Sequence, residues 1–167
     1  SIKCSGIEPS KKAVEKATGE FIAFLDCDDY WLPNKLETQV ITMNSGSYVL
    51  AYSSVSITDE KDNPIVDLLP AHSSGYIFND LLENFDINMA TPILRRQSLI
   101  DYGLNFDSQI FASEEVNLFL KLAYFGEVAT SHEPLAVIRQ RNDSLTNKSL
   151  RLWYLDLELT IKQLLEI

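Results

Sequence analysis

Apolar positions along this chain switch repeatedly between helical spacing and short continuous runs. Ala13, Val14 and Ala17 share a face of a helical segment from Pro9 to Thr18, with Pro9 tolerated in the first turn. Gly19 is expected to end it. Phe21-Ile22-Ala23-Phe24-Leu25 then forms an unbroken apolar run that stops at Asp26-Cys27-Asp28-Asp29. A short run bounded in this way reads as a buried strand. Helical spacing returns after Pro33, with Leu36, Val40 and Met43 as the expected buried stripe. Asn44-Ser45-Gly46-Ser47 stops that helix.

Tyr48 to Ile57, rich in Tyr and Val, reads as a second strand. Thr58 to Pro64 is a turn, and Ile65 to Leu69 a short third strand. Ile77 to Leu82 is expected to be helical and Ile87 to Leu94 extended. Gln97 to Asp101 should form a short helix ending near Gly103. The clearest helix is Ser113 to Phe125, where Val116, Leu118, Phe119, Leu122 and Ala123 keep helical spacing. Ser113 is placed to cap it and Gly126 to close it. Val128 and then Ala136 to Arg139 begin extended segments. Ser149 to Ile167 is again amphipathic, with Leu152, Leu155, Leu159, Leu164 and Leu165 as its stripe. Strands alternating with helices predict an α/β fold. Residues 1–167 are expected to form one domain, with 149–167 as a helix packed on or extending from it.

Charge narrows the function. The chain has 167 residues and a formal net charge of −10, which argues against nucleic-acid binding. An acidic surface still admits a phosphate-bearing ligand if a metal supplies the positive charge. No apolar run approaches the ~20 residues of a membrane span, and the start carries no secretory h-region, so a cytoplasmic setting is expected. Cys4 and Cys27 make neither a metal-ligand spacing nor a disulfide framework, and Cys27 is expected to be a small packing residue.

The candidate chemistry lies in the acids. In open α/β sheets, ligands bind beyond the carboxyl ends of the strands. Asp26, Asp28 and Asp29 at such an edge repel one another unless a cation joins them, and a divalent metal can bridge to nucleotide phosphates. Asp also clusters in turns because it hydrogen-bonds its own backbone. Glu114 and Glu115 have two readings as well. First-turn acids complement the helix dipole, and local composition alone favours that reading. One of them could instead be a general base. Arg139-Gln140-Arg141 is either a solvated turn or a source of cations for a diphosphate.

From Ala17 to Leu36 the sequence ATGEFIAFLDCDDYWLPNKL resembles the signature of glycosyltransferase family 2. Gly103-Leu104-Asn105-Phe106-Asp107, the helix Ser113 to Leu122 and the segment Pro134 to Thr146 resemble later family motifs in the family's order. The resemblance spans about Ala13 to Thr146. It implies the inverting, nucleotide-diphospho-sugar transferase (GT-A) fold, a three-layer sandwich of mixed sheet and helices. The family's opening strand-turn unit, which binds the nucleobase, is not visible here. The chain is therefore expected to match the family's C-terminal two-thirds, and this segment alone is expected to show weak or absent catalysis.

Roles follow from the resemblance position by position. Asp28 would coordinate Mn2+ or Mg2+, with Asp26 beside it and Asp29 at the same cofactor edge. Glu115 aligns with the family's catalytic aspartate and Glu114 with the acid before it. Trp31 would lie on the acceptor side, and Arg139 and Arg141 near the diphosphate. The implied donor is a nucleoside-diphosphate sugar, with UDP expected. The acceptor would be a saccharide or lipid-linked saccharide in bacterial surface polysaccharide synthesis, made at the inner face of the membrane. Peripheral membrane association and self-association through an open sheet edge are further expectations. Two alternatives stand beside this reading. One is a non-catalytic sugar- or protein-binding remnant. The other is a haloacid-dehalogenase-type phosphatase with Asp26 as nucleophile and Asp28 as acid/base.

Overall fold

A computed structural model describes residues 7–140 and 150–167. Cys4, Arg141 and the 142–146 part of the last family-like segment lie outside the described residues. The elements are, in order, α1 (Ile7–Lys16), β1 (Phe21–Ala23), β2 (Tyr30–Trp31), α2 (Lys35–Asn44), β3 (Leu50–Thr58), β4 (Pro64–Leu68), α3 (Phe78–Glu83), β5 (Ile93–Arg95), α4 (Arg96–Asp101), α5 (Glu114–Phe125), β6 (Val128–Arg139) and α6 (Leu150–Leu164). They build one six-stranded mixed sheet in the order β1-β5-β3-β6-β2, with β4 paired to β3 off this path. The β3–β6 pair is parallel and shifts register near Ser53 and Ser54; the other pairs are antiparallel.

Period-two alternation sorts the sheet residues between two faces, whose buried side chains form three clusters. Ile22, Leu50, Tyr52 and Leu94 face a cluster with Val14 of α1, Leu81 of α3, Leu99 of α4 and Val116, Phe119 and Leu122 of α5. Ala51, Ile93 and Ala129 face the other side, against Met43 of α2. The result is helix, sheet, helix: the three-layer α/β architecture that the resemblance implies. The five apolar positions expected for α5 are all buried.

Several local expectations change. β1 is only three residues long, and Leu25 is exposed where a buried strand end was expected. Phe24 lies just past the strand, and its ring meets Phe106 edge to face at 5.5 Å. Ile87 to Pro92 is a loop rather than extended strand, and Val128 to Arg139 is one strand rather than two. In α2 the buried face is Lys35, Gln39 and Met43, while Leu36 is exposed. Lys35 donates through Nζ to the Thr91 carbonyl at 3.0 Å and to Gln39, whose Nε2 donates to the same carbonyl at 2.8 Å. Met43 and, in part, Val40 keep their expected places against the core, while satisfying the Thr91 carbonyl brings Lys35 and Gln39 inward in place of Leu36.

α6 departs furthest from its pattern. Leu152, Leu155 and Leu165 are exposed, Leu155 at 53 %, whereas Asp156 is 3 % exposed and Thr160 is fully enclosed. Only Leu164 of the expected stripe packs against the main core. The helix docks on α5 through a polar ladder. Asn117 Nδ2 donates to Thr160 Oγ1 at 3.0 Å and to Gln163 Oε1 at 2.8 Å. Lys121 Nζ donates to Gln163 Oε1 at 2.8 Å, and Gln163 Nε2 donates to Asp107 Oδ2 at 2.8 Å.

Candidate functional site

The segment from Phe24 to Asp29 carries the chain from β1 at one edge of the sheet to β2 at the other. A backbone bond from Asp29 N to Asp26 O, 3.3 Å, closes its turn. Asp26 and Cys27 are exposed, and Asp28 and Asp29 are half-buried. Cys27 is a free, exposed thiol rather than a packing residue, because the turn lifts it clear of the core.

Arg139, at the end of β6, straps this turn in place. Its backbone N–H donates to Asp29 Oδ1 at 3.1 Å, and its guanidinium donates to the Asp28 carbonyl at 3.1 Å. The same guanidinium makes a two-pronged contact with Asp62, at 2.8 and 3.2 Å, and lies 4.8 Å from the Tyr30 ring centre. Asp62 adopts a left-handed backbone, φ 64°, at the tip of the β3–β4 connection. Arg139 is therefore engaged by protein carboxylate and carbonyl groups. Arg141 lies outside the described residues.

Electrostatics tie the acidic turn to α5. Partial burial and the Asp28 charge push the Asp26 carboxyl up from its ordinary value. Burial pushes Asp29 to about 6, against the Arg139 N–H that favours its ionised form. Burial likewise raises Glu114, helped by Asp156 and Asp26. Glu115 rises to about 7, chiefly through burial, with the Glu114, Asp26 and Asp156 charges adding to it. Each of these two glutamates accepts its own backbone N–H, which partly offsets the rise. Asp26, Glu114, Glu115 and Asp156 thus share one electrostatic neighbourhood, although the chain separates them widely. Asp156 was not legible as part of this group, because its helix reads as a leucine stripe.

The start of α5 is held in an unexpected way. Ser113 occupies the N-cap position with no side-chain cap bond. Asp156 instead accepts the backbone N–H groups of Phe111, Ala112 and Ser113, at 3.0, 2.6 and 3.1 Å to Oδ2. The Ser113 hydroxyl also donates to Oδ2, at 3.4 Å. Gly126 does follow α5, but with extended backbone rather than a left-handed cap. Trp31 is half-buried; its Nε1 donates to the Ala90 carbonyl at 3.1 Å and its ring lies 4.9 Å from Lys35 Nζ.

Among the described residues, no three His, Cys, Asp or Glu side chains gather to enclose a metal ion. Asp26 and Asp28 nonetheless suit a hard divalent cation. They are oxygen donors whose mutual repulsion a cation would relieve, and magnesium-type sites use one or two carboxylates and complete their shell with water and ligand phosphate. No helix among the described residues is long and apolar enough to cross a membrane.

Comparison with known proteins bears on the family and the fold. The model of "Glycosyl transferase family 2" matches residues 10–103. The chain is 36 % identical over 94 residues to the Escherichia coli UDP-Glc:alpha-D-GlcNAc-diphosphoundecaprenol beta-1,3-glucosyltransferase WfgD, covering 56 % of this chain and 36 % of that one. It is 28 % identical over 137 residues to Bacillus subtilis (strain 168) TuaG, a glycosyltransferase named for teichuronic acid biosynthesis, covering 81 % of this chain and 53 % of that one. Among solved structures, S. aureus TarS 1-349 in complex with UDP-GlcNAc superposes with a TM-score of 0.67 at 17 % identity, over 95 % of this chain and 47 % of that one. The fold is that of TarS, and the chain spans between about a third and about half the length of these proteins.

Proposed function

The chain belongs to glycosyltransferase family 2, and on that premise we propose that it is the acid-and-base part of a metal-dependent inverting transferase. Its substrates would be a nucleoside-diphosphate sugar and an acceptor hydroxyl. The observation that carries this reading is the family match over residues 10–103, which includes the Asp26–Asp29 turn.

Asp26 and Asp28 would hold Mn2+ or Mg2+, with Asp29 at the same edge. When bound, such a cation offsets the charge that builds on the departing diphosphate. Glu115 would accept the proton of the acceptor hydroxyl while the hydroxyl oxygen bonds to the anomeric carbon. The bond from that carbon to the diphosphate oxygen breaks in the same displacement, so configuration inverts. Ionised Glu115 is the competent form, and its raised affinity for protons, near pH 7, suits a base working at neutral pH. Glu114 keeps negative charge beside it and supports that affinity. Arg139 holds the Asp28–Asp29 backbone in shape, and Arg141 is assigned to the diphosphate. Trp31, braced on Ala90, is assigned to the acceptor wall.

UDP as the donor base is supported by the UDP-sugar named for WfgD and by the UDP-GlcNAc complex of TarS. A lipid-diphosphate-linked saccharide acceptor is supported by the acceptor named for WfgD, and it would place the protein at the cytoplasmic membrane face. Self-association is assigned to β1, which pairs only with β5 among the described residues. Family membership sets the phosphatase alternative aside.

Thermal unfolding in manganese chloride, with and without a panel of nucleoside diphosphates, tests the donor site. We expect a manganese-dependent rise that grows with UDP and disappears in Asp28→Ala. No rise with any nucleotide would leave a non-catalytic domain as the reading.

A further inference from the structure

We propose that Asp156 is a positioning residue for the catalytic helix: from α6 it binds the three backbone N–H groups leading into α5 and so fixes where Glu114 and Glu115 point. The inference rests on the reading of Glu115 as the base.

The geometry is specific. A buried carboxylate needs compensation, since burying an unpaired charge is costly. Asp156 has no cationic partner among the described residues, and its oxygens are met by the consecutive N–H groups of Phe111, Ala112 and Ser113 and by the Ser113 hydroxyl. Consecutive N–H groups aimed at one point form an anion-binding nest. Here the anion is supplied from a separate helix. Charge-assisted bonds of this kind are shorter and stronger than neutral ones. They determine the path by which the chain enters α5, one residue before Glu114.

The rest of the α5–α6 seam prevents that contact from sliding. Asn117 on Thr160 and Gln163, and Lys121 on Gln163, repeat the pairing one and two turns further along both helices. The two helices therefore run side by side in the same direction, with their register set by hydrogen bonds. Apolar contacts would tolerate slippage; these bonds do not. The apolar side chains of α6 are largely turned outward, so its docking face is built for placement more than for burial.

The charge of Asp156 gives the arrangement a second consequence. After burial, the charges of Glu114 on its own helix, Asp26 from the acidic turn and Asp156 from α6 each raise the proton affinity of Glu115. Removing the Asp156 charge should therefore lower the proton affinity of Glu115. Asp156 thereby connects the fold of the last helix to the protonation state of the base.

Two variants of the whole chain separate the parts of the proposal. Asp156→Ala removes both oxygens, and Asp156→Asn keeps one acceptor and removes the charge. Amide hydrogen exchange reads the nest, and NMR titration of the Glu115 side-chain carboxyl reads the charge. In Asp156→Ala we expect exchange at Phe111, Ala112 and Ser113 to accelerate by about tenfold or more, as for loss of a charged hydrogen bond. In Asp156→Asn most of that protection should return, while the Glu115 midpoint falls by a few tenths of a pH unit. A merely structural role would leave that midpoint where it is. Unchanged exchange in Asp156→Ala, or an unmoved Glu115 midpoint in Asp156→Asn, would overturn the proposal. Neither readout depends on catalysis, so an inactive Glu115 would leave both intact. Failure of the base assignment is read separately, from Glu115→Gln in a transfer assay.

Discussion

Glu115 sits in the first turn of α5, where an acid normally gains from the helix N-terminus. Its surroundings oppose that gain. Burial and three neighbouring carboxylates lift its proton affinity to about pH 7. A base with that value is half ionised at neutrality and fully competent only above it. Transfer should therefore rise with pH through about 7 and level off, as read from the pH profile of kcat/KM. A profile flat from pH 5.5 to 8 would argue against Glu115 as the base. Glu115→Gln keeps the shape and cannot accept the proton, so kcat should drop by about 10²–10⁴-fold with donor affinity little changed. Similar activity in the variant and the parent would remove the assignment. Arg139 carries a separate lesson at this scale. As a sequence position it is a free cation beside a loop. In the fold its guanidinium is committed to Asp62 and to the Asp28 carbonyl. Asp62→Ala should loosen the acidic turn and weaken the manganese-dependent stabilisation.

Gly126 shows how an element ending can depend on space rather than on dihedral angle. Its backbone is extended, a conformation open to any residue, yet an added Cβ would lie 2.4 Å from Val49 Cγ1. Val49 is itself buried beside β3, and its N–H donates to the Glu127 carbonyl. Gly126→Ala should cost about 1–3 kcal/mol in chemical unfolding. Adding Val49→Ala should recover part of it, so the double variant is more stable than the two single losses predict together. Strict additivity would mean that no clash exists. The same scale shows where the sequence is readable. α5 was legible because its five apolar positions face a single core and nothing competes with them. α6 was not, and α2 only through Val40 and Met43, because each meets backbone groups that need polar partners. Lys35 and Gln39 turn α2 toward the Thr91 carbonyl, and Asp156 turns α6 toward the entry of α5. Periodicity counts apolar residues and cannot register a carbonyl or N–H elsewhere in the chain that must be satisfied. The acidic turn, Trp31 and the paired glutamates were singled out through ordered motifs. Asp156 lies in no such motif and is visible only once α6 is docked.

At the scale of the molecule, the carboxylates collected around the acidic turn make stability depend on pH in a definite direction. Asp29 moves from an ordinary 3.8 to about 6 and Glu115 from 4.5 to about 7, and Asp26 and Glu114 are raised as well. A carboxyl raised in the folded state binds more protons there than in the unfolded chain over the interval between the two values. Unfolding then releases protons, and stability falls as pH rises through that interval. The contribution is fully present below about 4 and is lost by about 7. The formal net charge of −10 adds self-repulsion of the same sign. Asp59, Asp107 and Glu158 are lowered instead, so their opposing effect falls below the ordinary carboxylate values of 3.8 and 4.5 and outside this window. The thermal midpoint should thus be higher at pH 5.5 than at pH 7.5 in metal-free buffer, by a few degrees at roughly 2–4 °C per kcal/mol. Millimolar manganese should narrow the gap, because a cation between Asp26 and Asp28 would relieve the repulsion around the turn. In Asp28→Ala the pH gap should shrink and manganese should have no further effect. A midpoint that rises from pH 5.5 to 7.5 without metal would show that the acidic edge is not under the repulsion its geometry implies, and would leave Asp26 and Asp28 without a reason to bind a cation.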